Sequence, residues 1–161
     1  MEKQKVYIET SVISYLTANP SKDIVVAVHQ QITNEWWHKA RQKFDCYISD
    51  VVLAEIEKGD SKAALSRIDA VKDIRILEYN PEIEKLGLVY LELFKIPDKS
   101  KLDAAHLALS VWYNIDILMS WNCKHIANAL VNIKLRENNN RNGLFTPILC
   151  TPEELLEAND D

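Results

Sequence analysis

Glycine is scarce in this sequence: Gly59, Gly87 and Gly143 are the only three in 161 residues, and each stands alone. That excludes a glycine-rich loop cradling phosphate through backbone N–H groups, and with it the nucleotide-binding folds built on one. Cysteine is equally scarce. Cys46, Cys123 and Cys150 are an odd number with no CxxC pair, so they read as reduced thiols, two of them core fillers. The histidines His29, His38, His106 and His125 show no ligand spacing with them, which argues against zinc. No apolar run approaches the ~20 residues of a membrane span. The opening Met-Glu-Lys-Gln-Lys has no apolar stretch or cleavage site of a signal peptide. The expectation is a cytoplasmic protein without membrane contact.

Positive charge is also short. Lys and Arg number 19 against 24 Asp and Glu, for a net charge of −5. Such a chain does not coat nucleic acid by bulk attraction. It remains compatible with a nuclease, because bound cations supply positive charge where the phosphate sits.

What is present is a globular pattern, 47% apolar with charge interspersed. Length and composition predict one domain over 1–161. Short β-prone runs at Val6–Ile8, Tyr47–Ile48, Ile74–Leu77, Ile115–Met119 and Pro147–Leu149 alternate with helical periods. Thr10 and Ser11 are the expected caps of the first helix. Residues 23–44 carry Val25, Val28, Ile32, Trp36 and Ala40 at helical spacing. Ser49 or Asp50 caps a helix through Glu57, and Ala64, Leu65, Ile68 and Val71 define the apolar face of the next. Pro81 opens another helix, with Ile83, Leu86, Tyr90 and Leu93 on one face. Ser100 caps a helix bearing Leu102, Ala105, Leu109 and Trp112. A helix is expected over 125–137, a polar turn or loop over 138–143, and a last helix from Pro152. This alternation predicts an α/β fold with a parallel sheet and helices on both faces.

Open parallel sheets bind ligands at the carboxyl ends of their strands. Glu9-Thr10-Ser11 follows the first strand. The helix after the second carries Glu55, and Asn122 follows the Ile115–Met119 strand. Asp103 lies in the first turn of the preceding helix, which an antiparallel return brings to the same edge. Glu9, Glu55, Asp103 and Asn122 can therefore converge as a hard-oxygen site suited to Mg²⁺ or Mn²⁺. Each also has a plain structural reading. Glu9 and Asp103 suit helix N-termini, Glu55 suits an exposed helix face with Glu57 and Asp60, and Asn122 suits a cap. His106, one turn after Asp103, reads as a packed or hydrogen-bonded histidine. Asp50 and Asp98 read as turn or capping residues, and Asp116 lies at the wrong edge.

Four segments in order resemble PIN domains, in particular VapC-like toxins and their stand-alone relatives. Val6-Tyr7-Ile8-Glu9-Thr10-Ser11-Val12-Ile13 is similar to the opening strand that ends in Asp-Thr-Ser. Ser49-Asp50-Val51-Val52-Leu53-Ala54-Glu55-Ile56 is similar to the helix with one key glutamate. Asp103-Ala104-Ala105-His106-Leu107-Ala108 matches the Asp-Ala-x-His-x-Ala element. The segment from Leu118 to Asn128 resembles the last active-site segment of a subgroup with Trp-Asn, here Trp121-Asn122. The resemblance covers nearly the whole chain.

It implies a three-layer α/β/α sandwich around a five-stranded, mostly parallel sheet, and Mg²⁺- or Mn²⁺-dependent hydrolysis of RNA. By position, Glu9 and Asp103 would hold the metal. Glu55 would complete the acidic cluster or orient water, and Asn122 would take the fourth place. Thr10 or Ser11 would support the site or touch the scissile phosphate. Two departures stand out. Glu9 replaces the usual aspartate, its extra methylene shifting the carboxylate by roughly one bond length, which matters where metal geometry is tight. Asn122 removes one negative charge.

The alternative is a catalytically degenerate PIN domain that binds RNA or a protein. A receiver-like site is disfavoured, because only Glu9 is available for its acidic pair. Lys95, Lys99, Lys101, Lys124 and Arg141 are candidate RNA contacts or plain surface charges. A toxin role implies an antitoxin covering the acidic site. The helix with Trp36 and Trp37 is a candidate homodimer surface, with a core role for one tryptophan as the other reading.

Overall fold

Val6, Tyr7 and Ile8 are fully buried, as a strand covered on both faces requires. They belong to β1 (Lys5–Ile8), the middle strand of five. The computed structural model describes residues 2–157. The single-domain expectation for 1–161 includes residues 1 and 158–161, which lie outside them. β2 (Asp45–Ser49) and β3 (Arg75–Leu77) extend the sheet on one side of β1. β4 (Ile117–Met119) and β5 (Ile148–Cys150) extend it on the other, giving the order β3-β2-β1-β4-β5. All four pairings are parallel, and Ile8 stands opposite Met119. The architecture is the expected three-layer α/β/α sandwich. The chain winds outward from β1 to β3, then crosses back to β4, so the topological switch point falls between β1 and β4. Ligands of open α/β sheets bind at such a point.

α1 (Thr10–Thr17) follows β1 directly. Its cap is Glu9, whose side chain accepts from the Ser11 N–H, and not Thr10 or Ser11 as expected. α2 (Ile24–Glu35) is capped by Asp23. The helix expected over 23–44 ends early, passing into a wide π-type turn at Trp36–Ala40 and a 3₁₀ turn at Arg41–Lys43. Two successive indoles reach the core here, and the wider turn brings Trp37 round beside Trp36. Trp36 is fully buried and Trp37 is 7% exposed, with the Arg41 guanidinium carbon 4.4 Å from the Trp37 ring centroid. Both tryptophans are core residues. Val25 and Val28, at helical spacing with Trp36 and Ala40, are exposed.

α3 (Asp50–Ile56) is capped by Ser49, and α4 (Ser61–Ala70) by Asp60. On α4 Ala64 is buried while Leu65, expected inside, is exposed. α5 (Pro81–Leu93) packs on α6 (Lys101–Trp112). A Cβ at Gly87 would lie 3.9 Å from both the Ala104 carbonyl oxygen and the Ala108 Cβ. Small residues let the helices approach closely, and that contact seats α6, the helix that carries Asp103 and His106. Trp112, at its end, is exposed.

α7 (Ala129–Arg141) starts later than expected and ends later. Residues 138–141, read as loop, are helical, because Asn139 faces inward and is fully buried. It accepts from the Tyr90 hydroxyl at 2.7 Å and donates to the Phe145 carbonyl at 3.1 Å. The last expected helix is a 3₁₀ turn, Pro152–Leu155, closed by a Thr151–Glu154 capping box. All three cysteines are free, with Cys150 buried, Cys46 half-buried and Cys123 exposed. Among the described residues no helix is long and apolar enough to cross a membrane.

Asn139→Ala strands the Tyr90 hydroxyl and the Phe145 carbonyl. Urea unfolding is expected to show a loss of about 2 kcal/mol or more. A solvated polar loop at this position would give no measurable change.

Candidate active site

Each candidate residue lies where a strand or helix ends at the carboxyl edge of the sheet. Glu9 extends the β1 ladder by one bond, its N–H donating to the Met119 carbonyl at 3.1 Å. Its side chain then folds back over the first turn of α1. Oε2 accepts from the Ser11 N–H at 2.8 Å. Oε1 accepts from the Ser11 hydroxyl at 2.6 Å and the Ser120 hydroxyl at 2.5 Å. The residue is 5% exposed. The carboxylate is thereby turned into the protein.

Glu55 sits in the last turn of α3. Its Oε1 accepts from the Thr10 hydroxyl at 2.7 Å and lies 2.7 Å from His106 Nε2. The other ring nitrogen of His106, Nδ1, is 2.7 Å from the Tyr7 hydroxyl, which is 2.7 Å from the Ser49 hydroxyl. Ser49 in turn accepts the Val52 N–H and caps α3. A buried relay thus runs from the cap of α3 through β1 and α6 back to Glu55 near the helix's end. His106 is the hydrogen-bonded histidine the sequence suggested.

Asp103, in the first turn of α6, is 2.7 Å from Nδ1 of His125 through its Oδ2. Asn122 shapes the turn that carries His125. Its Oδ1 accepts from the His125 N–H at 3.0 Å, and its own N–H donates to the Ser120 hydroxyl at 2.9 Å. Ser120 is the same group that donates to Glu9. Glu9, Asn122 and Asp103 thus share one hydrogen-bonded chain through Ser120 and His125. Thr10 and Ser11 hold Glu55 and Glu9 respectively. Sequence reasoning gave no role to Ser120, although it stands next to the Trp121-Asn122 pair, and weighed His125 by itself only as a zinc ligand. Lys95, Lys99, Lys101, Lys124 and Arg141 are all exposed, and Lys124 lies in the turn with Asn122 and His125.

The three carboxylates all bear on His106. Burial pushes its pKa down, but the hydrogen bond to Glu55 and the charges of Glu9, Glu55 and Asp103 outweigh this and raise it. Burial pushes the Glu55 carboxyl up. The hydrogen bond and charge of His106, the Thr10 hydroxyl and Lys58 reverse that and hold it below the ordinary value. Both shifts favour the charged pair of Glu55 and His106. Burial raises the Tyr7 phenol well above its ordinary value, against the Ser49 hydrogen bond and with the nearby carboxylates, so it keeps its proton.

Carboxylate and amide oxygens are the donors a hard divalent cation takes, so the set fits Mg²⁺ or Mn²⁺ in kind. Among the described residues no group of three or more His, Cys, Asp and Glu side chains stands where it could hold one ion. Glu9 is turned inward onto serine donors, and Asp103 is held by His125.

No family model and no curated protein matches the chain. Solved structures do. Mycobacterium tuberculosis VapC20, described as a sarcin-ricin loop cleaving toxin, superposes with a TM-score of 0.57 at 16% identity, covering 74% of this chain and 92% of its own. VapBC2 from Rickettsia felis, bound to a DNA fragment from its promoter, gives 0.49 at 14% identity, covering 75% and 90%. The α/β/α sandwich is therefore of a known kind. The likeness to VapC20 identifies it as a VapC-like PIN-domain fold.

The Glu55–His106 pair makes stability depend on pH in a defined direction. The Glu55 contribution is present above its ordinary 4.5 and lost as pH falls through its lowered folded value. The His106 contribution is full below its ordinary 6.5 and lost as pH rises through its raised folded value. The melting-temperature gap between wild type and His106→Gln is expected to be widest between these two ordinary values. It should narrow toward pH 9, and a gap that widens there would refute the ion pair.

Proposed function

We propose that this protein is a PIN-type endoribonuclease that hydrolyses RNA phosphodiester bonds at the rim formed by Glu9, Glu55, Asp103 and Asn122. The observation that carries the reading is the gathering of three carboxylates around His106 at the switch point of a VapC-like fold. Mg²⁺ or Mn²⁺ is the cofactor that an all-oxygen donor set suits. When bound, such an ion supplies a Lewis acid at the phosphate and an activated water. Glu9 and Asp103 are the proposed ligands, on the strength of the sequence resemblance. The chain's own residues prepare the site. Thr10 and His106 fix Glu55, which is proposed to orient the attacking water. Ser11 and Ser120 fix Glu9, and His125 fixes Asp103.

A VapC-like toxin role belongs to this reading, with an antitoxin partner covering the acidic rim, and so does a homodimer. The free cysteines support a reducing, cytoplasmic setting. A second reading has its own observation. Every carboxylate of the cluster is already engaged by a protein donor, and no three of them share a metal position. That favours a degenerate PIN domain acting as an RNA- or protein-binding module.

Incubation with a mixed pool of structured and single-stranded RNA in EDTA, Mg²⁺ or Mn²⁺ separates the two. The nuclease reading expects cleavage in metal alone, reduced on the order of 10²-fold or more by Asp103→Asn. Absence of cutting in either metal by folded wild type sinks it in favour of the binding module. Glu9→Asp, which shortens the inward-turned side chain, then becomes the variant expected to gain cleavage.

A further inference from the structure

Three rings stand beside the acidic rim without a part in it. Trp121, immediately before Asn122, is 8% exposed and donates its indole N–H to the Thr33 hydroxyl at 2.7 Å. The His29 ring of α2 lies flat on it, with centroids 4.0 Å apart and planes 12° from parallel. Tyr15 of α1 stands edge-on to both, at 6.0 Å from His29 and 6.2 Å from Trp121. The inner ring is buried and satisfied, whereas the outer two are half-buried. No third ring continues the stack beyond His29 among the described residues. The Tyr15 hydroxyl and the His29 ring nitrogens bond to no described residue, and they are not among the sealed-off polar atoms. They face water.

The cluster is tied to the rim by a short path. The Trp121 backbone N–H donates to the Ser11 hydroxyl at 2.9 Å, and that hydroxyl donates to Glu9. A nucleotide with its phosphate at the carboxylates therefore has an aromatic ledge within reach of its neighbour's base. We propose that His29, backed by Trp121 and flanked by Tyr15, is a nucleobase-stacking site for single-stranded RNA, taking a base next to the phosphate at the acidic rim. It rests on the ribonuclease reading and names how that site holds its substrate. Stacking needs no particular base, because every base has a π-face. The water-facing hydroxyl of Tyr15 and the ring nitrogens of His29 meet base edges as donors or acceptors.

The test is equilibrium binding of a fluorescently labelled single-stranded RNA of mixed sequence, in EDTA, read by anisotropy. A parallel set of the same oligonucleotide carries one abasic site, moved along the strand. His29→Ala is expected to weaken binding about 5- to 100-fold, the range for losing one stacked base. His29→Phe, which keeps a flat ring, is expected to restore it to within about threefold of wild type. One abasic position should weaken wild type markedly and cause no further loss in His29→Ala. Wild type needs no variant for this, so an abasic scan without a sensitive position overturns the site even if His29→Ala fails to fold. Unchanged binding by a folded His29→Ala also overturns it. If wild type still cleaves RNA in either case, the ribonuclease reading survives. Wild type that neither binds nor cleaves RNA sinks both.

Discussion

Three carboxylates gathered at the mouth of a parallel sheet repel one another, and the rest of this edge is built to offset that repulsion. The offset differs at each. Glu9 is answered by two hydroxyls and a backbone N–H, Glu55 by a fully buried imidazolium and a threonine hydroxyl, and Asp103 by the half-buried His125. A carboxylate with several good donors keeps its charge without an outside cation. The fold therefore closes on its own charges. A cation that comes to the rim shares these carboxylates with histidine and hydroxyl donors, and finds Oε2 of Glu55 and Oδ1 of Asp103 without a hydrogen bond from a described residue.

The same donors hold the sheet edge together. Ser11 and Ser120 come from opposite ends of the chain, yet both donate to one oxygen of Glu9. The segment after β4 is fixed by the Trp121 N–H on Ser11 and the Asn122 N–H on Ser120. β1 and β4 are thus clasped just beyond their last paired residues, Ile8 and Met119. The clasp does for the backbone what helix capping does elsewhere, giving N–H groups at an element's end a side-chain acceptor. Removing Glu9 would loosen the turn that presents Asn122 as well as delete a charge, so the residue is structural whatever its chemistry.

The order of elements was legible because each strand is short, apolar and bounded by a cap or turn signal. The parallel sheet, the edge where the acidic residues meet and the role of His106 all came from that pattern. Side-chain direction was not legible. Glu9 and aspartate differ by one methylene, and only the geometry of the first turn of α1 shows that the longer side chain curls inward to cap it. The asparagines before Gly143 read as a loop because asparagine disfavours helix interiors. The burial of Asn139 and its bonds to Tyr90 and Phe145 override that weak preference. Leu65 was placed inside by spacing, but spacing finds a stripe without saying which of its residues the neighbouring elements cover, and Val25 and Val28, on the stripe of α2, are exposed as well. Trp36 and Trp37 fail for the opposite reason. Adjacent residues cannot share a regular helical face well, and the wide turn that lets both go inside has no sequence signal of its own.

Net charge limits how this chain could hold RNA at all. Nucleic-acid affinity usually comes largely from counterions released as lysine and arginine neutralise phosphates, with a steep salt dependence. A chain at −5 with an acidic rim has little of that term to use. The five exposed cations weighed as RNA contacts are a thin supply, and three carboxylates oppose them. Affinity for a single strand must then rest on contacts that carry no net charge, of which base stacking is the strongest and the most tolerant of sequence. The aromatic group at Tyr15, His29 and Trp121 would meet that requirement, since it stands beside the uncharged Asn122. An RNA held in this way would bind with a shallow salt dependence, unlike one held by phosphate contacts.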